Sequence, residues 1–353
     1  MFEDLIVIDC STVLAGPSVG TFFAELGAAV TKIENPAIPD VTRTWKLLSE
    51  EKNTAISAYF ASVNYHKQYL QLDFKNTTHF NELVRLIEKA DIFLSNFKKG
   101  DAEKFGLTDT FLHSINPRLI IGKISGFGTE SDRVAYDLIL QAETGFMSMN
   151  GTAESGPVKM PVALIDVLAA HQLKEGILTS LLQRTKTNKG QTVSVSLYDA
   201  AISSLANQAS NYLMEKHIPQ RIGSLHPNIA PYGEIFVTKD GKLITFAIGS
   251  NKHFQILCSF LELNEFVSDV RFATNVDRVS NRKELKEFIQ TEILNLEASE
   301  ILTFMHQHFV PVGLIQNLKE VFENSESQKL VRTETIENKE TKRVSQIAFQ
   351  LKS

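Results

Sequence analysis

One acidic residue, Asp166, stands in an otherwise apolar stretch of the sequence, between Ile165 and Val167. A carboxylate in such a stretch must be paired, protonated or functional, because burying an isolated charge is costly. Apolar residues recur at helical spacing around and beyond it, namely Ile165, Leu168, Ala169, Leu173, Ile177 and Leu181. This spacing predicts a helix that begins near Asp166. A helix N-terminus favours an ionised carboxylate, whereas apolar surroundings raise its pKa, and the two effects together can hold a reactive acid.

A structural role is the simpler interpretation of Asp166. Aspartate is a common helix N-cap, in which its side chain accepts a hydrogen bond from a backbone N–H. Spacing alone favours this cap over a catalytic role. The choice therefore depends on the motifs in the rest of the sequence.

The composition excludes several classes of protein. With 43% hydrophobic and 22% charged residues, the chain has the composition of an ordinary globular protein. Its net charge of -5 gives no reason to expect a nucleic-acid or anionic-membrane partner. Cys10 and Cys258 lie in apolar runs without the spacing of a disulfide framework or a metal site. The N-terminus lacks the basic start of a signal peptide and no apolar run is long enough to span a bilayer, so we expect a cytoplasmic protein.

The start of the chain predicts a β-α-β unit. Residues 5–9 form a continuous apolar run typical of a buried strand, residues 19–26 a helix, and residues 28–34 a second strand. Further strands end at Asn96 and at the glycine turn of residues 125–128. This order predicts a doubly wound, Rossmann-like α/β domain with ligands at the carboxyl ends of its strands.

A dinucleotide site is an alternative use of this fold. Glu34, at the end of the second strand, has the position of an acid that binds a ribose hydroxyl in such enzymes. However, the first turn, residues 14–20, reads Leu-Ala-Gly-Pro-Ser-Val-Gly, which is not Gly-x-Gly-x-x-Gly. Pro17 also lacks the N–H that a phosphate cradle uses. The sequence therefore argues against NAD binding.

The length of 353 residues suits one large domain and a smaller one. We predict a large α/β domain over residues 1–214 and a proline-containing linker over residues 215–232. A small α+β domain is predicted over residues 233–309, with a hairpin that turns at residues 239–241. Residues 310–353 are predicted to return toward the large domain.

Several blocks of the sequence together resemble the family III CoA-transferases, the CaiB/BaiF group, whose close relatives are the α-methylacyl-CoA racemases. The blocks are Ala15-Gly16-Pro17, residues 26–36, residues 40–45, residues 64–73, residues 119–128, Tyr136-Asp137-Leu138-Ile139-Leu140-Gln141-Ala142 and residues 310–322. In the transferases of this family, the residue that matches Asp166 is the covalent nucleophile. The resemblance implies an enzyme that moves CoA from an acyl-CoA to a carboxylic acid, built as an interlocked homodimer.

The resemblance also implies the chemistry. Asp166 attacks the thioester to form a mixed anhydride. The CoA thiolate then attacks this anhydride, which gives an aspartyl-CoA thioester, and the acceptor acid takes CoA from Asp166. Donors to the oxyanion are required, and the glycine turn of residues 125–128 is a candidate source of backbone N–H groups. Coenzyme A enters as part of the substrate, and no tightly bound cofactor and no metal are expected.

Substrate contacts are implied position by position. The CoA contacts match Leu72, Lys75, Asn96, Phe97, Lys104 and Tyr136, and the acyl pocket matches Leu14, Trp45 and Tyr59. Lys104 stands where the family usually has an arginine. Its ammonium can pair with phosphate as a point charge, but not through the two parallel hydrogen bonds of a guanidinium. Asn35 stands where an arginine often binds near the 3′-phosphate. Leu14 replaces the glutamine of oxalate-specific members, which favours a less polar acyl pocket.

Two other functions stay open. A racemase needs two opposed proton carriers, and the histidine that racemases place before the Asp of the motif is Tyr136 here, a poor base with a pKa near ~10. His171 lies five residues beyond Asp166 and so points to a different face of the predicted helix. A non-catalytic CoA-binding protein is the second alternative, because Asn35, Lys104 and a short C-terminal tail depart from the family pattern.

Overall fold

The computed structural model describes residues 1–352, which divide into two compact units. The first unit contains residues 1–149, 159–219 and the C-terminal stretch from Glu326, and the second contains residues 150–158 and 220–325. The first unit thus extends into the predicted linker of residues 215–232. Residues 310–325 of the predicted return segment group with the second unit, and the domain limits proposed from the sequence stay predictions.

The strands of residues 1–352 vary from two to six residues in length. In chain order they are β1 (Ile6–Asp9), β2 (Ala29–Glu34), β3 (Gln68–Gln71), β4 (Ile92–Ser95), β5 (Ile120–Ser125), β6 (Gly151–Thr152), β7 (Gly156–Pro157), β8 (Thr192–Ser196), β9 (Tyr232–Val237), β10 (Leu243–Ala247), β11 (Val312–Leu314), β12 (Val331–Ile336) and β13 (Lys339–Val344).

The helices include one long element of 24 residues, which carries Asp166. In chain order they are α1 (Ala15–Glu25), α2 (Ala58–Ser62), α3 (Thr77–Ile87), α4 (Asp101–Lys104), α5 (Asp109–Ile115), α6 (Asp137–Glu143), α7 (Phe146–Met149), α8 (Leu164–Thr187), α9 (Leu197–Ser203), α10 (Ala206–Glu215), α11 (Asn251–Phe260), α12 (Asn275–Ser280), α13 (Arg282–Ile293), α14 (Ala298–Gln307), α15 (Leu318–Glu323) and α16 (Ser325–Gln328). Short 3-10 helices cover Val41–Thr44 and Asn264–Val267.

The first unit is built on a six-stranded parallel sheet with the order β3-β2-β1-β4-β5-β8. The chain builds outward from β1 in one direction and then, from β4 onward, in the other. This is the doubly wound arrangement that the sequence predicted, with its switch point between β1 and β4. The carboxyl ends of all six strands lie at one edge, where such sheets bind ligands.

Both faces of this sheet are buried, which explains the nearly continuous apolar runs of its strands. Successive strand residues point to opposite faces because the side-chain period of a strand is two. One face packs with α1 and α8 through Val7, Val30, Ile92, Ile120, Phe23, Ala169 and Ile177. The other face packs with α3 and α5 through Ile8, Ile33, Phe93, Ile121, Leu83, Ile87 and Leu112.

The second unit confirms the predicted small α+β domain. Its antiparallel sheet has the order β11-β10-β9, with β9 and β10 joined as the predicted hairpin. Residues of this sheet pack with α11, α13 and α14 in one core, which includes Phe236, Phe246, Phe254, Leu257, Ile289 and Ile301. The glycine-rich stretch after α7 forms the small β6–β7 hairpin of this unit, a feature for which the sequence predicted only a loop.

The C-terminal stretch adds an antiparallel hairpin, β12–β13, to the first unit. Its Ile336 is buried in a small cluster with Ile56, Phe60 and Ala61, so the hairpin packs on α2. Within residues 1–352, no helix combines the length and the apolar character needed to cross a bilayer.

Candidate active site

A cavity of about 950 Å³ lies in the first unit at the carboxyl edge of the parallel sheet. Its lining includes residues 12–15 after β1, residues 95–100 at the end of β4, residues 125–126 and 128–136 at the end of β5, and Asp166. Asn96 joins the first two segments, because its Oδ1 accepts the Thr12 N–H at 3.0 Å and its amide donates to the Thr12 carbonyl at 2.9 Å. The cavity therefore occupies the switch point, where ligands of doubly wound sheets bind.

Asp166 is the third residue of α8 and does not cap it, so the simpler interpretation of this residue was wrong. Ala163 holds the N-cap position and provides no side-chain hydrogen bond. The Asp166 side chain is only 8% exposed, yet within residues 1–352 its carboxylate has no hydrogen bond and no ion pair. A buried, unpartnered carboxylate that lines a cavity is poorly stabilised by the protein and is available to a ligand.

The cap of α8 comes instead from another helix. Asp137, the first residue of α6, accepts the Ile165 N–H through Oδ1 at 2.7 Å and the Gln141 amide through Oδ2 at 2.6 Å. Gln141 in turn accepts the Met160 N–H at 2.8 Å. No role was predicted for Asp137, although it belongs to the motif of residues 136–142. Asp137 thus satisfies the helix terminus and leaves Asp166 free.

Burial and a neighbouring charge make Asp166 a weak acid. Burial, followed by the negative charge of Asp137, raises the pKa of Asp166 to about 7. A substantial fraction of the carboxyl groups is therefore ionised at neutral pH, and each carries more basic character than an ordinary aspartate. Both properties suit a nucleophile.

Trp45 and Tyr59 form an edge-to-face pair with their ring centroids 5.2 Å apart. Burial, and then the charges of Asp166, Asp137 and Asp40, raise the pKa of Tyr59 to about 12. The Tyr59 hydroxyl therefore stays protonated and lies in the field of Asp166. Neither ring lines the cavity, and the acyl-pocket role of this pair stays a prediction.

A buried ion pair holds the loop between β1 and α1. Lys32 lies 3.1 Å from the Asp40 carboxylate and donates to the Ser11 carbonyl, and both members of the pair are fully buried. Val13 adopts a φ of 72°, a costly conformation for a β-branched residue, and its N–H donates to Asp40 at 3.2 Å. This loop delivers Leu14, another predicted pocket residue, to the cavity lining.

The first turn of α1 also faces the cavity. Leu14 is its N-cap and Ala15 its first residue, and both line the cavity. In the described part of the chain, the N–H groups of Leu14, Ala15 and Gly16 have no hydrogen-bond acceptor. The predicted glycine turn contributes Gly126 and Gly128 to the same lining. The start of α1 is thus a second candidate source of backbone donors, which was not predicted from the sequence.

The predicted CoA contacts divide into two groups. Asn96, Phe97 and Tyr136 line the cavity. The other three, Leu72, Lys75 and Lys104, do not line it. Leu72 is 1% exposed in the core, and the Lys104 ammonium lies 5.4 Å from the centroid of the Phe105 ring. The contacts of all six residues with CoA stay predictions.

The cations that do line the cavity are Lys98, Lys99, Lys123 and Arg133. Lys123 pairs with Asp109, and Arg133 lies 2.6 Å from Glu143 and 3.8 Å from the centroid of the Phe127 ring. Lys98 has no ion pair within residues 1–352. Lys123 and Arg133 were not predicted as site residues, although Lys123 lies near the carboxyl end of β5 and Arg133 shortly after it.

Comparisons with known proteins show the family of this chain. The profile described as CoA-transferase family III matches residues 2–353. The succinate–glutarate CoA-transferase of Agrobacterium fabrum is 35% identical over 328 residues, which cover 91% of this chain and 82% of the relative. The succinyl-CoA:glutarate CoA-transferase of Mus musculus is 34% identical over 331 residues, or 93% of this chain and 74% of the relative.

A solved structure agrees as well. The crystal structure of a CAIB/BAIF family protein from Brucella suis has a TM-score of 0.87 to this chain at 32% sequence identity. The match covers 99% of this chain and 92% of the other. Sequence and fold thus identify the same family as the motifs around Asp137 and Asp166, and this chain belongs to the family III CoA-transferases, the CaiB/BaiF group.

Proposed function

We propose that this enzyme moves CoA from an acyl-CoA thioester to a carboxylic acid through a covalent intermediate on Asp166. The observation that carries the proposal is the Asp166 carboxylate itself, which is buried, unpartnered among the described residues and part of the cavity lining. An unpaired buried carboxylate lowers the stability of the folded protein, which is expected of a group whose reactivity is needed for function.

The reaction begins when an Asp166 oxygen attacks the thioester carbonyl. The carbon–sulfur bond breaks, CoA leaves as a thiolate, and an aspartyl mixed anhydride forms. The thiolate attacks the aspartyl carbonyl, which releases the donor acid and leaves a thioester between Asp166 and CoA. The acceptor carboxylate attacks this thioester, which releases the CoA thiolate and forms a mixed anhydride between the acceptor and Asp166. The thiolate then attacks the acceptor's carbonyl carbon, which gives the new acyl-CoA and free Asp166. No proton is consumed overall.

Each attack creates an oxyanion that needs donors. Leu14 and Ala15, whose N–H groups are unbonded, line the same cavity as Asp166, and the positive end of α1 favours a negative charge near them. We propose that N–H groups at the start of α1 bind the oxyanion, and backbone N–H groups of the Gly126–Gly128 turn are the alternative donors.

The relatives suggest the substrates to test first. Two of them are named for succinate or succinyl-CoA and for glutarate, and we propose succinyl-CoA as the first donor and glutarate as the first acceptor. For the CoA phosphates we propose Lys98 with the predicted contacts Lys75 and Lys104. Homodimerisation and a cytoplasmic location stay predictions from the sequence.

Trapping the intermediate tests the proposal. The enzyme is mixed with succinyl-CoA, quenched in acid and digested, and the peptide that contains Asp166 is weighed. We expect a CoA or succinyl adduct, which hydroxylamine converts to a hydroxamate at Asp166. Failure to find an adduct with a panel of thioesters would favour a non-catalytic CoA-binding protein. Deuterium exchange at the α-carbon without transfer would instead indicate a racemase, although among the described residues no histidine lines the cavity.

The pH dependence follows from the same carboxylate. Because only ionised Asp166 attacks, kcat/KM for the acyl donor should rise with pH and level off above about 7, the pKa of Asp166. Asp137→Asn removes the charge that helps to raise this pKa, so the inflection should move to lower pH. The comparison is made from initial rates at saturating acceptor between pH 5 and 9.

The control for this experiment is Glu175→Gln, an exposed acid on the same helix as Asp166. It should leave the inflection in place. An inflection that stays near 7 in Asp137→Asn would show that burial alone sets it and that the Asp137 charge does not contribute.

A further inference from the structure

The segment that carries the Trp45–Tyr59 pair is a long surface loop between two fixed points. At its start, the Thr42 carbonyl accepts the Ser57 hydroxyl at 2.5 Å, and Ser57 also caps α2 through the Phe60 N–H. Trp45 follows the first point and Tyr59 the second. Most of the residues between Trp45 and Ile56 are exposed, and Leu48 is fully exposed. Contacts beyond these two fixed points must therefore set the position of the rings.

Glu50 ties this loop to α2. Its Oε1 accepts the Leu47 N–H at 3.0 Å and its Oε2 accepts the Ala58 N–H at 2.8 Å. Although burial raises it, the pKa of Glu50 is lowered by these two N–H groups and by Lys339. The charged carboxylate thus joins Leu47, two residues after Trp45, to Ala58, the residue before Tyr59.

The C-terminal hairpin supplies the cation for this carboxylate. Lys339, the first residue of β13, donates to the Ile56 carbonyl at 2.9 Å and lies 3.7 Å from Glu50 Oε2. At the turn of the same hairpin, Glu337 lies 3.2 Å from Arg43. Ile336 packs against Ile56 below them. One lysine from the end of the chain therefore binds both the backbone and the acid that shape the loop.

We propose that Lys339 is a positioning residue for the acyl end of the site. It locks the 45–59 loop and with it the Trp45–Tyr59 pair, which is predicted to limit the size of the acyl group. The acyl role of the pair rests on the function proposed above. The position of the loop does not, because it follows from contacts within the first unit.

Lys339→Met keeps most of the apolar stem and removes the charge. The Ile56 carbonyl then loses its donor and Glu50 loses its cation, so the loop gains freedom and the ring pair loosens. Lys342→Met is the matched control, because Lys342 lies on the same strand, is exposed and pairs only with Glu340 at 3.6 Å among the described residues. Glu50→Gln breaks the same link from the other side, in case Lys339→Met does not fold.

The chain contains a single tryptophan, Trp45, so its fluorescence reports on this loop whether or not the enzyme turns over. Acrylamide should quench Trp45 more strongly in Lys339→Met and in Glu50→Gln than in the parent chain. The ratio of kcat/KM for glutaryl-CoA to that for succinyl-CoA should rise about tenfold, the discrimination that one methylene usually provides. Lys342→Met should change neither quantity.

The two measurements separate the two proposals. Stronger quenching without any adduct on Asp166 would leave Lys339 as the residue that positions the loop and overturn the proposed function. Normal adduct formation, with quenching and acyl preference in Lys339→Met and Glu50→Gln equal to those of Lys342→Met, would overturn the inference and leave the transferase intact.

Discussion

Asp166→Asn is expected to abolish CoA transfer and, at pH 8, to make the folded chain more stable. Without the carboxylate no mixed anhydride and no aspartyl thioester can form, so the rate should fall by at least about 10³-fold, as on removal of other covalent nucleophiles. Stopped assays with succinyl-CoA and glutarate measure this loss. The same variant should show no adduct on the peptide that contains residue 166.

The gain in stability follows from the pKa of Asp166. The unfolded side chain titrates near ~3.9, whereas the folded one keeps its proton up to about 7. Between these values the folded chain binds the extra proton, so the contribution of Asp166 to stability falls as pH rises through this window. Above pH 7 the ionised carboxylate costs up to about 4 kcal/mol, from about three pKa units at 1.36 kcal/mol each. Asparagine removes this cost.

Urea unfolding at pH 8 and at pH 4 measures the difference. We expect Asp166→Asn to be more stable than the parent at pH 8 and equal to it near pH 4. The exposed acid Glu175 on the same helix is the control, and Glu175→Gln should change neither activity nor stability. Loss of activity together with loss of stability at pH 8 would mean that the Asp166 carboxylate has a stabilising partner in the folded protein and is not free to react with a substrate.

The second large effect is on folding: Lys67→Met should destabilise the chain by about 3–5 kcal/mol, the usual cost of removing one partner of a buried ion pair. Lys67 and Asp9 are fully buried, with 2.8 Å between the ammonium and the carboxylate. Lys67 also donates to the carbonyls of Pro17 and Val63 at 2.9 and 3.0 Å. Substitution leaves the buried Asp9 carboxylate, at the end of β1, without its ion-pair partner, although Ser11 still donates to it and Lys32 still acts on its charge.

Denaturant titration at pH 7 measures this loss, and Lys89→Met, at an exposed lysine, should change stability by less than about 0.5 kcal/mol. Adding Asp9→Asn to Lys67→Met should recover part of the loss, because it removes the stranded charge. Equal stability of the parent and Lys67→Met would mean that water reaches Asp9. Space is tight around this pair, since a Cβ added at Gly20 would lie 2.8 Å from Asp9 Oδ2.

Much of the fold is readable from local patterns. The apolar runs of β1, β4 and β5 predicted a two-sided parallel sheet, and the structure buries Val7 on one face and Ile8 on the other. The helix that begins near Asp166 was predicted from spacing and runs from Leu164 to Thr187. These patterns are reliable because the periodicity of a strand or a helix records which of its own residues are buried.

The site was predicted in part. Resemblance indicated Asp166, Leu14, Asn96, Phe97 and Tyr136, and all five line one cavity. Spacing alone assigned the cap of α8 to Asp166, and this was wrong. The sequence suggested only the glycine turn as a source of backbone donors, although Leu14 and Ala15, with unbonded N–H groups, line the same cavity. A sequence shows where a helix starts, but not which distant group meets its first N–H groups.

The sequence by itself thus determined the doubly wound sheet, the small second unit and the family, because each rests on residues that are neighbours along the chain or on motifs read in order. Tertiary structure alone decided that Asp137 caps the helix and that Asp166 stays free, since the capping bond spans 28 positions. It also decided that Lys339 reaches Ile56 across 283 positions. Hydrogen-bond partners so far apart meet only through packing, and local patterns carry no record of the pairing.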